Sequence, residues 1–224
     1  MTISFVASSF EHSNRATRKK FDEMLLFPAF LKLAGRRCLV VGGGRVAEEK
    51  IQGLLRAEAQ VLVVAPSATG RIRTWADAAK ISWIPREFRP ADLRGAFLLV
   101  AATSSPGLHA RIYAQAKRLG VLCNVVDDPE HSDFYYGSVV RRGSLQIAIS
   151  TGGHSPALAR RLRRQLEGEF GTAYEEWLEE IGAIRKQLLA KRLSPRLRKA
   201  LLHQLASDES FQRFLERRKS GKKE

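Results

Sequence analysis

The stretch Cys38-Leu39-Val40-Val41-Gly42-Gly43-Gly44-Arg45-Val46-Ala47 decides the fold. A short run of apolar, mostly β-branched residues enters three consecutive glycines, and a helical pattern follows. This is the G-x-G-x-x-A arrangement, with Ala in the third place. Gly42 permits the tight turn. Gly44 has no side chain to keep the backbone from a pyrophosphate, and Ala47 lets the helix lie close to the strand. The free N–H groups and partial positive charge of the helix N-terminus then favour phosphate. The alternative is a glycine-rich turn that holds no ligand, and the context weighs against it.

That context is a series of similar units. Apolar runs recur at Val61–Ala65, Ile81–Ile84, Phe97–Ala102 and Val121–Val126. They are short and apolar on both faces, as strands of a parallel sheet covered on both sides are. Helical patterns separate them at Ala47–Arg56 and Pro106–Leu119, the second opening on a proline suited to a first helical turn. Alternation of this kind predicts a doubly wound α/β domain of Rossmann type. The pattern then changes. Residues 137–140 and 145–150 flank Arg141-Arg142-Gly143-Ser144 and read as a β-hairpin. A Gly-Gly loop and a helix capped by Ser155 follow. Further helices are expected at Ala173–Lys191, Pro195–Leu205 and about Glu209–Lys219.

Composition narrows the class. Of 224 residues, 44% are hydrophobic and 27% charged, which suits a buried core with a solvated surface. The two cysteines, Cys38 and Cys123, sit in apolar runs and read as buried thiols, with no disulfide framework or cysteine metal site. No run approaches the ~18 apolar residues of a membrane span. The first 23 residues read as a flexible polar tail without a secretory signal, so a cytoplasmic protein is expected. The net charge is +15, and residues 137–224 carry 19 Lys+Arg against 10 Asp+Glu. A basic surface suits an anionic partner, either nucleic acid or a polycarboxylate. Nucleic acid is disfavoured, because no helix-turn-helix signature or aromatic stacking platform is visible.

Two positions bear on chemistry. The second strand ends Ala65-Pro66-Ser67, with no acidic residue to hold a ribose hydroxyl, so NAD and NADP stay open on residues alone. Ser67 suits either a ribose hydroxyl or the cap of the next helix. The fifth strand ends in Asp127-Asp128, where ligands of open α/β sheets bind. Asp127 is thereby a candidate acid or base beside the cofactor, or else a turn residue before Pro129.

The segments GGGRVAEEK (42–50), VAAT (100–103), CNVVDDPEHSDF (123–134) and ISTGGHSPALARRLR (149–163) occur in order. In them the chain resembles the precorrin-2 dehydrogenase family, which includes the N-terminal part of bacterial sirohaem synthase, over about Leu26 to Leu166. The resemblance implies an NAD-binding Rossmann domain (24–136), a dimerisation segment (137–170) and a helical C-terminal domain (171–224), forming a homodimer. It implies NAD-dependent oxidation of precorrin-2 to sirohydrochlorin. Some members also insert Fe²⁺, and the sequence leaves that second activity open. No methyltransferase domain is expected to follow.

For the cofactor, the resemblance implies Gly42, Gly43, Gly44, Arg45 and Val46, with Pro66 and Ser67 near the adenosine ribose and Thr103 of the AAT motif. Asp127, the aspartate of the NVVD motif, is the expected proton acceptor. Asn124, Thr151, Gly152 and His154 fall in the motifs expected to meet the tetrapyrrole. Precorrin-2 is an octacarboxylate, so Arg141 and Arg160 are expected to face its carboxylates, as arginine forks do. No resident metal is expected, because no histidines have helical ligand spacing. Ser104, Gly137 and His154 depart from the family's usual residues. A different class, a regulatory module that senses NAD without chemistry, has no need of the NVVD and STGGHSP segments.

Overall fold

The computed structural model describes residues 26–103 and 105–220. The tail read at residues 1–23 and the departure at Ser104 lie outside these residues. Contacts group the chain into two compact units, Met1–Tyr136 and Gly137–Glu224.

Five strands build the first unit: β1 (Arg37–Val41), β2 (Gln60–Val64), β3 (Ser82–Ile84), β4 (Leu98–Ala101) and β5 (Leu122–Val125). All neighbours are parallel and the order is β3-β2-β1-β4-β5. Helices α1 (Arg45–Arg56), α2 (Gly70–Asp77) and α3 (Pro106–Arg118) connect them. The alternation of side chains along a strand explains the double covering. In β1, Cys38 and Val40 join a buried cluster with Ile51 and Leu54 of α1 and Ile72 of α2. Leu39 and Val41 join a second cluster, with Ile112 and Ala116 of α3. Each face of the strand is therefore apolar because each has a helix to cover it.

The sequence pattern passes over α2. Its eight residues bury only Ile72, too few apolar positions to show a period. Its cap is Thr69, whose hydroxyl accepts from the Ile72 amide at 3.4 Å. Ser67 is thus not the cap of this helix.

Beyond β5 the chain turns at Asp127-Asp128 and folds back along the strand's open edge. The Asp133 carboxylate accepts from the Cys123 amide at 2.9 Å, and the Asp133 amide donates to the Cys123 carbonyl at 2.7 Å. The Ser132 hydroxyl accepts from the Val125 amide at 3.0 Å and donates to the Asp128 carbonyl at 2.9 Å. The Asn124 side-chain amide donates to the Phe134 carbonyl at 2.8 Å. Buried backbone groups need such partners, and here one loop supplies them to an edge strand.

The second unit opens with the antiparallel pair β6 (Ser138–Arg142) and β7 (Leu145–Ile149). Arg141 and Arg142 are strand residues, not turn residues, and only Gly143 and Ser144 make the turn. Consequently the two arginines point to opposite faces: Arg141 is exposed, while Arg142 donates to the Glu167 carbonyl at 2.8 Å. Helix α4 (Pro156–Glu169) is capped by Ser155, which accepts from the Leu158 amide at 3.2 Å. Helices α5 (Ala173–Ala190), α6 (Pro195–Leu205) and α7 (Asp208–Ser220) follow. An aromatic cluster of Tyr174 and Trp177 on α5 with Phe211 on α7 joins two of them, with ring centroids 4.4 Å and 4.8 Å from Phe211.

Burial pushes the Cys38 thiol up to about 11 and that of Cys123 to about 12, the latter aided by the Asp133 charge. Both thiols are therefore protonated and enclosed at neutral pH. A thiol-reactive reagent at pH 8 is expected to label neither cysteine in the folded protein and both after denaturation. Labelling of the native protein would contradict this packing.

Candidate functional site: a nucleotide cleft at the strand ends

The sheet order reverses between β1 and β4, and this is where loops diverge to either side. A cleft of about 1430 Å³ opens there. Gly42, Gly43, Gly44, Arg45, Val46, Pro66, Ser67 and Thr103 all line it, and so does Asp127. The residues named for the cofactor from the sequence are thus brought together with the candidate acid.

The glycines do three different things. Gly42 has φ +119°, and a Cβ there would overlap the Ala102 carbonyl oxygen. The β1–α1 turn thereby lies directly on the end of β4. Its amide donates to the Val64 carbonyl at 3.0 Å, joining the turn to β2 as well. At Gly43 a Cβ would overlap the Ser67 carbonyl oxygen, so the middle glycine lets the β2–α2 loop close in. This close approach is invisible in the motif, where that position is free. Gly44 caps α1 and has nothing within 4 Å of a Cβ position. Its missing side chain faces open space beside the first amides of a twelve-residue helix. That is the geometry of an anion seat.

Thr103 supports the same reading. Its hydroxyl is buried and has no hydrogen-bond partner within the protein, although the residue lines the cleft. Such groups are rare without a ligand or water to meet them. Together the orphaned hydroxyl, the open space at Gly44 and the helix N-terminus fit a dinucleotide.

Asp127 is held in the left-handed region, φ 60°. A non-glycine residue there costs about 1–2 kcal/mol, which surrounding structure must offset. Next to it, the Asp128 carboxylate meets His131 Nδ1 at 2.8 Å and His109 Nδ1 at 3.8 Å. Lys50 of α1 lies with its amine 4.0 Å from the Tyr136 ring centroid. Burial pushes that ammonium below its ordinary range, while the charges of Glu49 and Asp127 oppose the shift.

Sequence reasoning missed several lining residues. Arg73, Glu87, Phe88 and Arg111 also face the cleft. Arg73 is steadied by Nε, which donates to the Ala68 carbonyl at 2.9 Å. No motif marks these residues, because they come from loops whose spacing is free. Asn124, in contrast, was assigned to the substrate, yet it is buried and its side-chain nitrogen is committed to Phe134. In the second unit, Thr151, Gly152 and His154 lie in the loop before α4, where the Thr151 hydroxyl accepts from the Ser155 amide at 3.2 Å. His154, Arg141 and Arg160 are exposed, whereas Arg163 pairs with Glu167 at 2.8 Å. Among the described residues no three His, Cys, Asp or Glu side chains form a group that could hold a metal ion.

Residues 29–138 match the family described as "Putative NAD(P)-binding", and residues 142–169 match "Sirohaem biosynthesis protein central". The fold and cleft define a Rossmann protein that takes a nicotinamide dinucleotide. Siroheme synthase 1 of Aeromonas salmonicida is 44% identical over 140 residues, 62% of this chain and 30% of that protein. The siroheme synthase of Neisseria meningitidis serogroup C (strain 053442) is 41% identical over 168 residues, 75% of this chain and 35% of that protein. The solved structure of SirC, precorrin-2 dehydrogenase, superposes with a TM-score of 0.68 at 26% identity, covering 86% of this chain and 98% of that one. The chain belongs to the precorrin-2 dehydrogenase family, which includes the N-terminal part of sirohaem synthase. It spans about a third of the length of the curated relatives it matches.

The glycine geometry separates folding from binding. Gly42→Ala is expected to destabilise the protein by roughly 2–4 kcal/mol through backbone overlap at positive φ. Gly44→Ala should leave the melting temperature within about 2 °C but weaken NAD binding at least about tenfold, which by affinity arithmetic is about 1.4 kcal/mol. Equal melting losses in the two variants would contradict the assignment.

Proposed function

We propose that the protein oxidises precorrin-2 to sirohydrochlorin with NAD, and that Asp127 accepts the proton released. One observation carries the reading: a carboxylate held in a strained backbone conformation lines the same cleft as an anion seat and an orphaned hydroxyl. When bound, the nicotinamide supplies the hydride acceptor. The N-terminal amides of α1 and the turn Gly42–Gly44 hold the pyrophosphate, with Arg45 and Val46 on the wall beside it. The Thr103 hydroxyl gains the partner it lacks. The Asp127 carboxylate takes the proton on an Oδ atom, a role worth typically ~10²–10⁴-fold.

NAD in preference to NADP is part of the proposal. The end of β2 lacks a carboxylate, but Glu87 reaches the same cleft from the loop after β3, the strand that pairs with β2. We assign Glu87 to the ribose hydroxyls and Pro66 and Ser67 to the wall beneath them. Arg141, Arg160 and His154, all exposed, are proposed partners for substrate carboxylates, with Thr151 and Gly152 shaping their loop. Asn124 is better assigned to fastening the loop that carries Asp127 than to contacting substrate. A homodimer and a cytoplasmic setting belong to the same proposal. Among the described residues no helix is long and apolar enough to cross a membrane.

The test is formation of NADH by the purified protein with precorrin-2. Asp127→Asn is expected to keep NAD affinity within about threefold and lower kcat by ~10²–10⁴. With NAD against NADP, Glu87→Gln should reduce the preference in kcat/KM about tenfold, since ribose contacts of this kind set the choice. NAD that binds but is never reduced with precorrin-2 present would favour a sensing module and end this reading.

A further inference from the structure

The cleft residues at its β4–β5 side come from two separate strand ends, Thr103 after β4 and Asp127 after β5. Main-chain pairing of those strands stops at Ala101 and Val125, and one further backbone bond, from the Val126 amide to the Ala101 carbonyl at 2.9 Å, extends it. Past that point a side chain takes over. His109, in the first turn of α3, is 8% exposed. Its Nε2 lies 2.9 Å from the Thr103 carbonyl oxygen. A carbonyl only accepts, so Nε2 carries the hydrogen and donates. The opposite ring nitrogen faces the Asp128 carboxylate at 3.8 Å, and the same carboxylate oxygen is held by His131 Nδ1 at 2.8 Å. The His131 ring in turn packs edge-on against Tyr113 of α3, with centroids 5.4 Å apart. The chain Thr103–His109–Asp128–His131 therefore joins the two strand ends from beneath the cleft and returns to α3.

Resting on the reading that Asp127 accepts the substrate's proton, we infer that His109 and Asp128 are positioning residues for it. None of the lining residues is His109 or Asp128, so they act through others. His109 fixes the Thr103 backbone, and Asp128, the residue after Asp127, fixes the left-handed turn that aims the Asp127 carboxyl group into the cleft. A displacement of ~1 Å at a reacting group can cost ~10²-fold in rate, so a tie of this kind shows in turnover before it shows in binding.

The experiment compares wild type with His109→Leu and His109→Gln. Glutamine keeps an N–H that can donate to Thr103, and leucine does not. His109→Leu is expected to lower kcat for NADH formation about 10- to 100-fold, with KM for precorrin-2 and NAD affinity within about threefold. His109→Gln should restore at least a third of wild-type kcat. Amide hydrogen exchange at Asp128, whose N–H donates to the Val125 carbonyl at 3.2 Å, reads the same tie without turnover. It should quicken at least about tenfold in the leucine variant and recover in the glutamine variant. Wild-type kcat in His109→Leu would overturn the inference, as would a loss that glutamine fails to restore or unchanged exchange at Asp128. A wild-type protein inactive on precorrin-2 would instead sink the proposed reaction, and the exchange comparison would still decide whether His109 holds the turn.

Discussion

The close approach of the β1–α1 turn to the neighbouring strand ends is the constraint on which the rest depends. A side chain at Gly42 would strike the Ala102 carbonyl, and one at Gly43 would strike the Ser67 carbonyl. Three loops from three adjacent strands are thereby drawn to one line above the sheet. Their backbone amides and carbonyls pair with each other, as in Gly42 to Val64, Thr69 to Gly43 and Ala102 to Val41. What stays unpaired is the N-terminus of α1 and the Thr103 hydroxyl. The cleft is thus the residue left when every other polar group at the strand ends has found a partner, and its chemistry follows from what remains.

Around this line the two halves of the cleft are built differently. On the β2–β3 side, the wall is made by loops carrying Arg73, Glu87 and Phe88. On the β4–β5 side, a side-chain network holds the backbone and leaves one carboxylate exposed to the cleft. The proposed division of labour follows: one side recognises, the other reacts. Burial of His109 and of the fold-back loop keeps the reacting side stiff, because few of its polar groups have water as an alternative partner.

Much of the architecture was legible in the sequence for a simple reason. Runs such as Leu39–Val41 and Leu98–Ala101 are apolar at every position, and only a doubly covered strand uses them. The triple glycine marked the cleft because its constraint is local. Other features were not legible, because they depend on what lies across the fold. Helix α2 buries a single large residue and shows no period. Asn124 sits in a motif beside Asp127, and nothing in the string distinguishes a residue that meets ligand from one that fastens a loop. Arg141 and Arg142 read as a turn because charged pairs are common in turns, yet the hairpin closes one step later at Gly143-Ser144. Glu87 and Arg73 reach the cleft from loops with no fixed spacing, and only the sheet order brings them there.

The loop from Asp127 to Phe134 has a consequence for assembly. A strand at the margin of a sheet usually offers its outward amides and carbonyls to any passing chain. Here the outward groups of Cys123 and Val125 are already taken by Asp133 and Ser132. The sheet therefore cannot grow on that flank, and any self-association of the protein must use side-chain surfaces elsewhere. The same residues that steady a reactive carboxylate also seal the domain against runaway β-pairing.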